Sequence, residues 1–118
     1  MHFFFYLSLL FFLACEKSGP EILKKPIEQL SHQEKIKRGQ IIYQKYCTSC
    51  HHSDPKLGGT LGPKLNEIDF EILKSKVLTG LYPASYDSAI KSKIMESTYF
   101  PSLSEEIDFI YLYLNQKR

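Results

Sequence analysis

The motif CTSCH at residues 47–51 constrains this chain more than any other stretch of its sequence. Two cysteines three positions apart, with a histidine directly after them, are typical of three kinds of site. They form a dithiol redox centre, half of a zinc site, or the attachment point of a covalently bound haem. Each kind of site needs a different fold around it, so the rest of the chain has to decide between them.

An apolar run at the N-terminus, FFFYLSLLFFLA at residues 3–14, predicts an export signal. The run is too short to span a bilayer as a helix, but it fits the hydrophobic region of a signal peptide. It ends at Cys15 and resembles a bacterial lipobox, although Phe12, Leu13 and the absence of a preceding Lys or Arg depart from the usual pattern. We therefore expect residues 1–14 to be a lipoprotein-type signal peptide and Cys15 to be lipidated. An ordinary signal peptide and an uncleaved anchor are the alternatives.

The chain behind Cys15 divides into a tether and one domain. Residues 16–30 hold a glycine, two prolines and mixed charges, which indicates a flexible linker, so residues 15–30 are expected to be a lipid-anchored tether and residues 31–118 a single domain. The hydrophobic content of 43% and the net charge of +2 describe a folded protein, and they exclude a nucleic-acid binder that depends on excess positive charge. The predicted location is the bacterial periplasm, at a membrane.

The first helix of the domain is predicted to deliver the CTSCH motif. Ser31 and Glu34 have the spacing of a capping box, and apolar residues follow at helical intervals. The pattern predicts a helix over residues 32–46, with Cys47 at its C-terminal end.

Two further helices are expected after the motif. Asp69 is a candidate N-cap for the second, which Gly80 would end. The third is predicted over residues 105–114, capped by Ser104, although FIYLYL alone has the aromatic and branched content of a strand. Between these helices the chain is rich in Gly, Pro and Ser. The sequence therefore predicts an all-α domain of three to four short helices with long loops.

The three kinds of site can be weighed against this organisation. A structural zinc site needs four ligands, but there is no second cysteine pair. The histidines outside the motif are His2, His32 and His52. A redox dithiol belongs at a helix N-terminus, which lowers the pKa of its first thiol, whereas this motif follows a helix. Haem attachment requires the histidine directly after the second cysteine. A haem would also stabilise a domain too small to bury much apolar area.

Beyond the motif, the chain resembles class I c-type cytochromes across most of residues 31–118. The resemblance rests on Gly39 and Tyr43, which precede the motif by eight and four positions, and on two segments, GPKL at residues 62–65 and PSLSEEIDFIYLYL near the C-terminus. It implies a small cytochrome c fold whose helices and loops wrap around one covalently attached haem c.

The resemblance also implies roles for the motif itself. Cys47 and Cys50 would form the thioethers to haem, and His51 would be the proximal iron ligand. The carbonyl of Pro63 would accept a hydrogen bond from the His51 imidazole, a contact that orients a ligand and raises its basicity.

Further residues are implied around the helices and the haem pocket. Gly39 would let the first helix cross the last one closely, at Ile110 and Tyr113. Leu65 and Tyr99 are the remaining candidates for the haem pocket.

Met95 is expected to be the distal iron ligand, because it is the single methionine apart from the initiator and lies near the family's ligand position. The family commonly has Met-Pro there, whereas this chain has Glu96 after the methionine. A thioether saturates the iron and favours the ferrous state, which suits electron transfer. Alternatively, Met95 fills the core. The competing ligands are His32, Lys91 and Lys93.

The function predicted from these features is that of a membrane-tethered monohaem cytochrome c, an electron carrier rather than an enzyme. It would pass single electrons between respiratory or periplasmic redox partner proteins, with neither a small-molecule substrate nor nucleic acid as a partner. The alternatives are a haem-based domain that binds or senses gas ligands at an open sixth position, and an electron-entry subunit of a terminal reductase or oxidase.

Overall fold

The structure, a computed structural model, describes residues 19–86 and 93–116. Within these residues it is helical and has no strand, which confirms the all-α prediction for this part of the chain. The α-helices are α1 (Glu21–Lys24), α2 (His32–Tyr46), α3 (Phe70–Thr79) and α4 (Ile107–Leu114). Short 3-10 turns occur at Ile27–Gln29, Ile94–Ser97 and Pro101–Leu103. The predicted signal peptide and the predicted lipidation of Cys15 lie outside the described residues.

The caps of α2 and α3 are those that the sequence predicts. The Ser31 hydroxyl accepts a hydrogen bond from the Glu34 amide at 3.3 Å, and the Glu34 carboxylate accepts one from the Ser31 amide at 2.8 Å. This reciprocal capping box satisfies two amides that would otherwise lack a partner. Asp69 accepts from two amides of the first turn of α3, at 2.9 and 3.2 Å. Gly80 ends α3 with a φ of 77°, a left-handed conformation that glycine adopts without strain.

The last helix begins later than predicted, and Ser104 does not cap it. The chain first makes the 3-10 turn at Pro101–Leu103, and α4 starts at Ile107, with Glu106 in the N-cap position. Ser104 has φ −56° and ψ −35°, the backbone of a helical residue. An N-cap side chain needs extended backbone to turn back onto the helix, so the proline turn moves the start of α4 by two residues.

The core of the domain is the crossing of α2 and α4. Gly39 faces the backbone of Phe109, and a Cβ at position 39 would overlap the Phe109 carbonyl. Tyr43 and Ile110 are fully buried at this crossing, and the rings of Tyr43 and Tyr113 are 5.5 Å apart. The absence of a side chain at position 39 therefore sets the distance between the two helices.

An ion pair closes one edge of this crossing. Arg38 on α2 donates from Nε to the Glu106 carboxylate at 2.8 Å, and a second guanidinium nitrogen contacts the other carboxylate oxygen. The same guanidinium lies 5.7 Å from the centre of the Phe109 ring. Both charged side chains are largely buried, so removing either one would leave its partner without a counter-charge.

Part of the segment predicted to be a flexible tether contacts the helices. Leu30 is buried, and the Lys25 carbonyl accepts a hydrogen bond from Arg38 at 3.1 Å. The Lys25 ammonium donates to Glu34 at 2.7 Å, and this bond, together with those from Ser31, lowers the pKa of Glu34 to about 2. Residues 21–30 are therefore held against α2, so the packed region begins before the predicted boundary at Ser31.

Candidate functional site

The CTSCH motif forms a tight turn at the C-terminal end of α2. The Cys47 amide donates to the Tyr43 carbonyl at 2.8 Å, which completes the helix. The Cys47 carbonyl then accepts hydrogen bonds from the amides of Cys50 and His51, at 3.2 and 2.9 Å. Both cysteines are free thiols and are half-buried. The turn thus holds two thiols and an imidazole on five consecutive residues.

The His51 ring is oriented by the loop that follows the motif. Its Nδ1 lies 3.0 Å from the carbonyl oxygen of Pro63. A carbonyl only accepts, so Nδ1 carries the proton in this contact and Nε2 keeps its lone pair. This is the contact that the resemblance implied between these two residues. It leaves Nε2 as the nitrogen able to bind a metal.

Gly62 makes room for that imidazole. A Cβ at position 62 would overlap the His51 ring. The loop is fixed in place because the amides of Leu61 and Gly62 donate to the Cys50 carbonyl at 3.2 and 3.0 Å. Sequence analysis assigned Gly62 no role of its own, although the GPKL segment that contains it was the relevant signal.

The electrostatics of Cys47 differ from those of a reactive dithiol. Burial raises the pKa of the Cys47 thiol to about 12, and the neighbouring Cys50 adds to the shift. Burial also raises the pKa of Tyr43, whose hydroxyl donates to the His52 carbonyl at 2.7 Å. Redox cysteines lie where a helix N-terminus or a cation lowers the thiol pKa. Cys47 instead ends a helix and has its pKa shifted in the opposite direction, which weighs against the redox interpretation.

Met95 lies in the 3-10 turn Ile94–Ser97 and is half-buried. Its carbonyl oxygen faces Gly80, so the turn is seated on the C-terminal end of α3. Among the competing ligands, His32 is the first residue of α2, at the opposite end from the motif, and Lys93 directly precedes the turn. Lys91 lies outside the described residues.

The two remaining pocket candidates differ in their exposure. Leu65 is half-buried against the core and donates its amide to the Pro55 carbonyl at 2.8 Å. Tyr99 is 49% exposed. Among the described residues, it is one of five large apolar or aromatic side chains that are exposed. These are Leu57, Leu61, Leu81, Ile94 and Tyr99.

These exposed side chains share three stretches of the chain. Leu57 and Leu61 flank the glycines of the loop that holds His51, and Leu81 follows Gly80, the residue that ends α3. Ile94 directly precedes Met95, and Tyr99 follows it by four positions. Only Tyr99 was singled out from the sequence, because leucines in a glycine-rich loop do not reveal their exposure.

The residues present fit a covalently attached haem by the chemistry of their donors. Two thiols, an imidazole held by its Nδ1 and a single thioether form the donor set of a c-type haem. Within residues 19–86 and 93–116, no three Cys, His, Asp or Glu side chains come together as a metal cluster. In the same part of the chain, no helix has the length and apolar character needed to cross a membrane.

No family model, curated protein or solved structure matches the chain. The contacts around His51 and the crossing of α2 and α4 are therefore the observations on which any function has to rest.

Proposed function

We propose that the chain is a monohaem c-type cytochrome, with a small cytochrome c fold around one covalent haem c, that carries single electrons between redox proteins. The observation that carries this proposal is the hydrogen bond between His51 Nδ1 and the Pro63 carbonyl. A histidine directly after a CxxC motif has no evident need for this orientation in a dithiol site. In a haem site, the contact points Nε2 away from the loop and makes it a better iron ligand.

The roles of the remaining residues follow from the donor set. Cys47 and Cys50 would each form a thioether with a vinyl group, and His51 and Met95 would ligate the iron from its two faces. When bound, the haem supplies an iron that cycles between Fe(II) and Fe(III). The protein would keep both axial positions occupied and would transform no substrate, so it would be a carrier rather than an enzyme.

Attachment through the cysteines is tested by a haem stain after denaturing electrophoresis. Protein produced with a bacterial cytochrome c maturation system should retain the stain, and the Cys47→Ala/Cys50→Ala variant should lose it. Ser49→Ala is the matched control, because it changes an exposed residue of the motif and leaves both thiols and His51 in place. A stain that survives the double substitution would refute thioether attachment.

The sixth ligand separates an electron carrier from a gas-binding domain. A far-red methionine–iron charge-transfer band that disappears in Met95→Ala, with no response of the ferrous protein to carbon monoxide, would support a saturated carrier. Prompt binding of carbon monoxide by the unmodified protein would instead support a haem domain with an open site.

We further propose that the protein is exported to the bacterial periplasm and held at a membrane through a lipid on Cys15. Support comes from the apolar run at residues 3–14 and its end at a cysteine. Labelled palmitate should enter the unmodified protein and not Cys15→Ala, while the haem stain of both stays the same. Equal labelling of the two would refute the lipid anchor without touching the haem proposal.

A further inference from the structure

Lys76 on α3 is a buried lysine that contacts the residues directly after the helix. Its ammonium donates to the Gly80 carbonyl at 2.8 Å, and the Gly80 amide donates to the Lys76 carbonyl at 3.0 Å. The same ammonium lies 4.2 Å from the centre of the Tyr82 ring. Gly80 follows the last helical residue, Thr79, so this bond ties a side chain of α3 to the start of the next segment. Lys76 therefore fixes the direction in which the chain leaves α3.

Gly80, whose carbonyl accepts the hydrogen bond from Lys76, packs against the turn that carries Met95. A Cβ at position 80 would lie 2.5 Å from the Met95 carbonyl oxygen and 3.0 Å from the Glu96 Cα. The left-handed φ of 77° is a second reason why another residue would be strained there. Burial lowers the pKa of Lys76, and the charge of Glu96 opposes that shift, which indicates that the ammonium and the turn interact.

A second contact holds the far side of the same segment. The Phe100 amide donates to the Val77 carbonyl at 2.6 Å, and the Phe100 ring lies 5.3 Å from the ring of Tyr46, the residue before Cys47. The segment that carries Met95 is therefore held on the last turn of α3 at both ends. It is also linked through Phe100 to the end of α2 that carries the CTSCH motif.

We propose that Lys76 and Gly80 are positioning residues for Met95, and that they keep its thioether on the iron by fixing the turn Ile94–Ser97 against the end of α3. This inference rests on the proposed haem function. It adds two residues outside the donor set. The sequence predicts for Gly80 only the end of the helix and for Lys76 no role.

The test compares haem-loaded variants. Lys76→Leu removes the donor and the charge and leaves an apolar side chain at the buried position. Lys76→Arg keeps a donor and a charge, and Gly80→Ala adds the excluded Cβ. Lys74→Leu is the matched control, because Lys74 is an exposed lysine of the same helix. Lys76→Leu and Gly80→Ala should lose the far-red band and bind carbon monoxide while keeping the haem stain. Lys76→Arg should restore the band, and Lys74→Leu should retain it.

A second readout is independent of the iron. Amide hydrogen exchange of residues 94–100 should be roughly fivefold or more faster in Lys76→Leu than in Lys74→Leu, because the loss of one hydrogen bond weakens local protection by about that factor. If Gly80→Ala fails to fold, the lysine variants still decide.

The outcomes separate this inference from the proposed function. An unmodified protein without covalent haem would overturn both. Covalent haem without a methionine band in the unmodified protein would overturn the inference and leave haem attachment intact. A band that persists in both Lys76→Leu and Gly80→Ala, with unchanged exchange, would also overturn the inference.

Discussion

The crossing of α2 and α4 and the loops around the CTSCH motif differ in how far their apolar side chains are buried. At the crossing, Tyr43 and Ile110 are fully buried and two backbones meet at a glycine, so the contact is complete as it stands. Around the motif, Leu57 and Leu61 are 52% and 58% exposed beside two thiols and an oriented imidazole. The apolar side chains of the first region are buried, whereas these two leucines of the second region remain exposed to solvent.

The largest expected difference between the two regions comes from truncating one aliphatic side chain in each, Ile110 at the crossing and Leu61 in the loop. Ile110→Ala should lower the free energy of unfolding by about 2–5 kcal/mol, because it leaves a cavity in a fully buried site. Leu61→Ala should change it by less than about 0.5 kcal/mol in haem-free protein. Urea unfolding of the haem-free variants measures both. Equal losses of unfolding free energy would show that the Leu61 side chain is packed as closely as that of Ile110.

The next effect concerns the distance between the helices. Gly39→Ala should cost about 1–3 kcal/mol, because the added methyl group overlaps the Phe109 carbonyl and the helices must move apart. Gly58→Ala is the control, since a Cβ there meets no atom within 4 Å. It should be neutral or slightly stabilising through the unfolded chain. Thermal unfolding followed by circular dichroism compares the two, and similar losses would contradict a specific contact at Gly39.

The Tyr43 hydroxyl forms one of the hydrogen bonds between the two regions, and its removal should have a smaller effect. Tyr43→Phe deletes the hydroxyl that donates to the His52 carbonyl and keeps the ring in place. We expect a loss of about 1 kcal/mol, the usual net contribution of one such bond. Chemical denaturation of the variant beside the parent measures it. An unchanged denaturation midpoint would mean that the loop after the motif is held in place without this bond to α2.

The smallest predicted effect is a dependence on pH. Contacts with Lys25 and Ser31 hold the pKa of Glu34 at about 2, below its ordinary 4.5. Their contribution is therefore fully present above about pH 4.5 and is lost as the pH falls towards 2, because the unfolded chain takes up the proton first.

Comparison of the unfolding midpoints at about pH 6 and about pH 3 tests this linkage. Glu34→Gln keeps a capping-box side chain and should flatten this part of the profile. Glu28→Gln, which removes an exposed carboxylate of the preceding turn, controls for net charge. The interpretation fails if Glu28→Gln flattens the profile as much as Glu34→Gln does.

The sequence predicted the features that depend on neighbouring residues. The capping box at Ser31, the N-cap at Asp69 and the stop at Gly80 are local patterns, and the structure has all three. Ser104 had an equally good local pattern, but it follows the turn at Pro101–Leu103 and has helical backbone, which an N-cap residue does not have. A local pattern thus fails where the preceding turn sets the backbone first.

The candidate site was predictable to a lesser degree. CTSCH indicates its own three candidate residues, Cys47, Cys50 and His51, and the resemblance implied the contact with Pro63. Gly62 makes room for the ring of His51, and Lys76 bonds the carbonyl of Gly80, the glycine that faces the Met95 turn. Neither a lone glycine nor a lone lysine in the sequence signals such a contact. The contacts of residues 21–30 with α2 were missed for a related reason, because proline and mixed charge describe a linker equally well.

The ion pair between Arg38 and Glu106 has a consequence for the order of folding. The two residues are 68 positions apart, and every residue proposed to bind haem lies between them. Closing a loop of that length costs roughly 4 kcal/mol of chain entropy, which has to be offset before the crossing is stable. The CTSCH turn needs only residues at the start of that loop. Modification of its two thiols is therefore compatible with an open chain, and closure would then enclose a site that is already loaded.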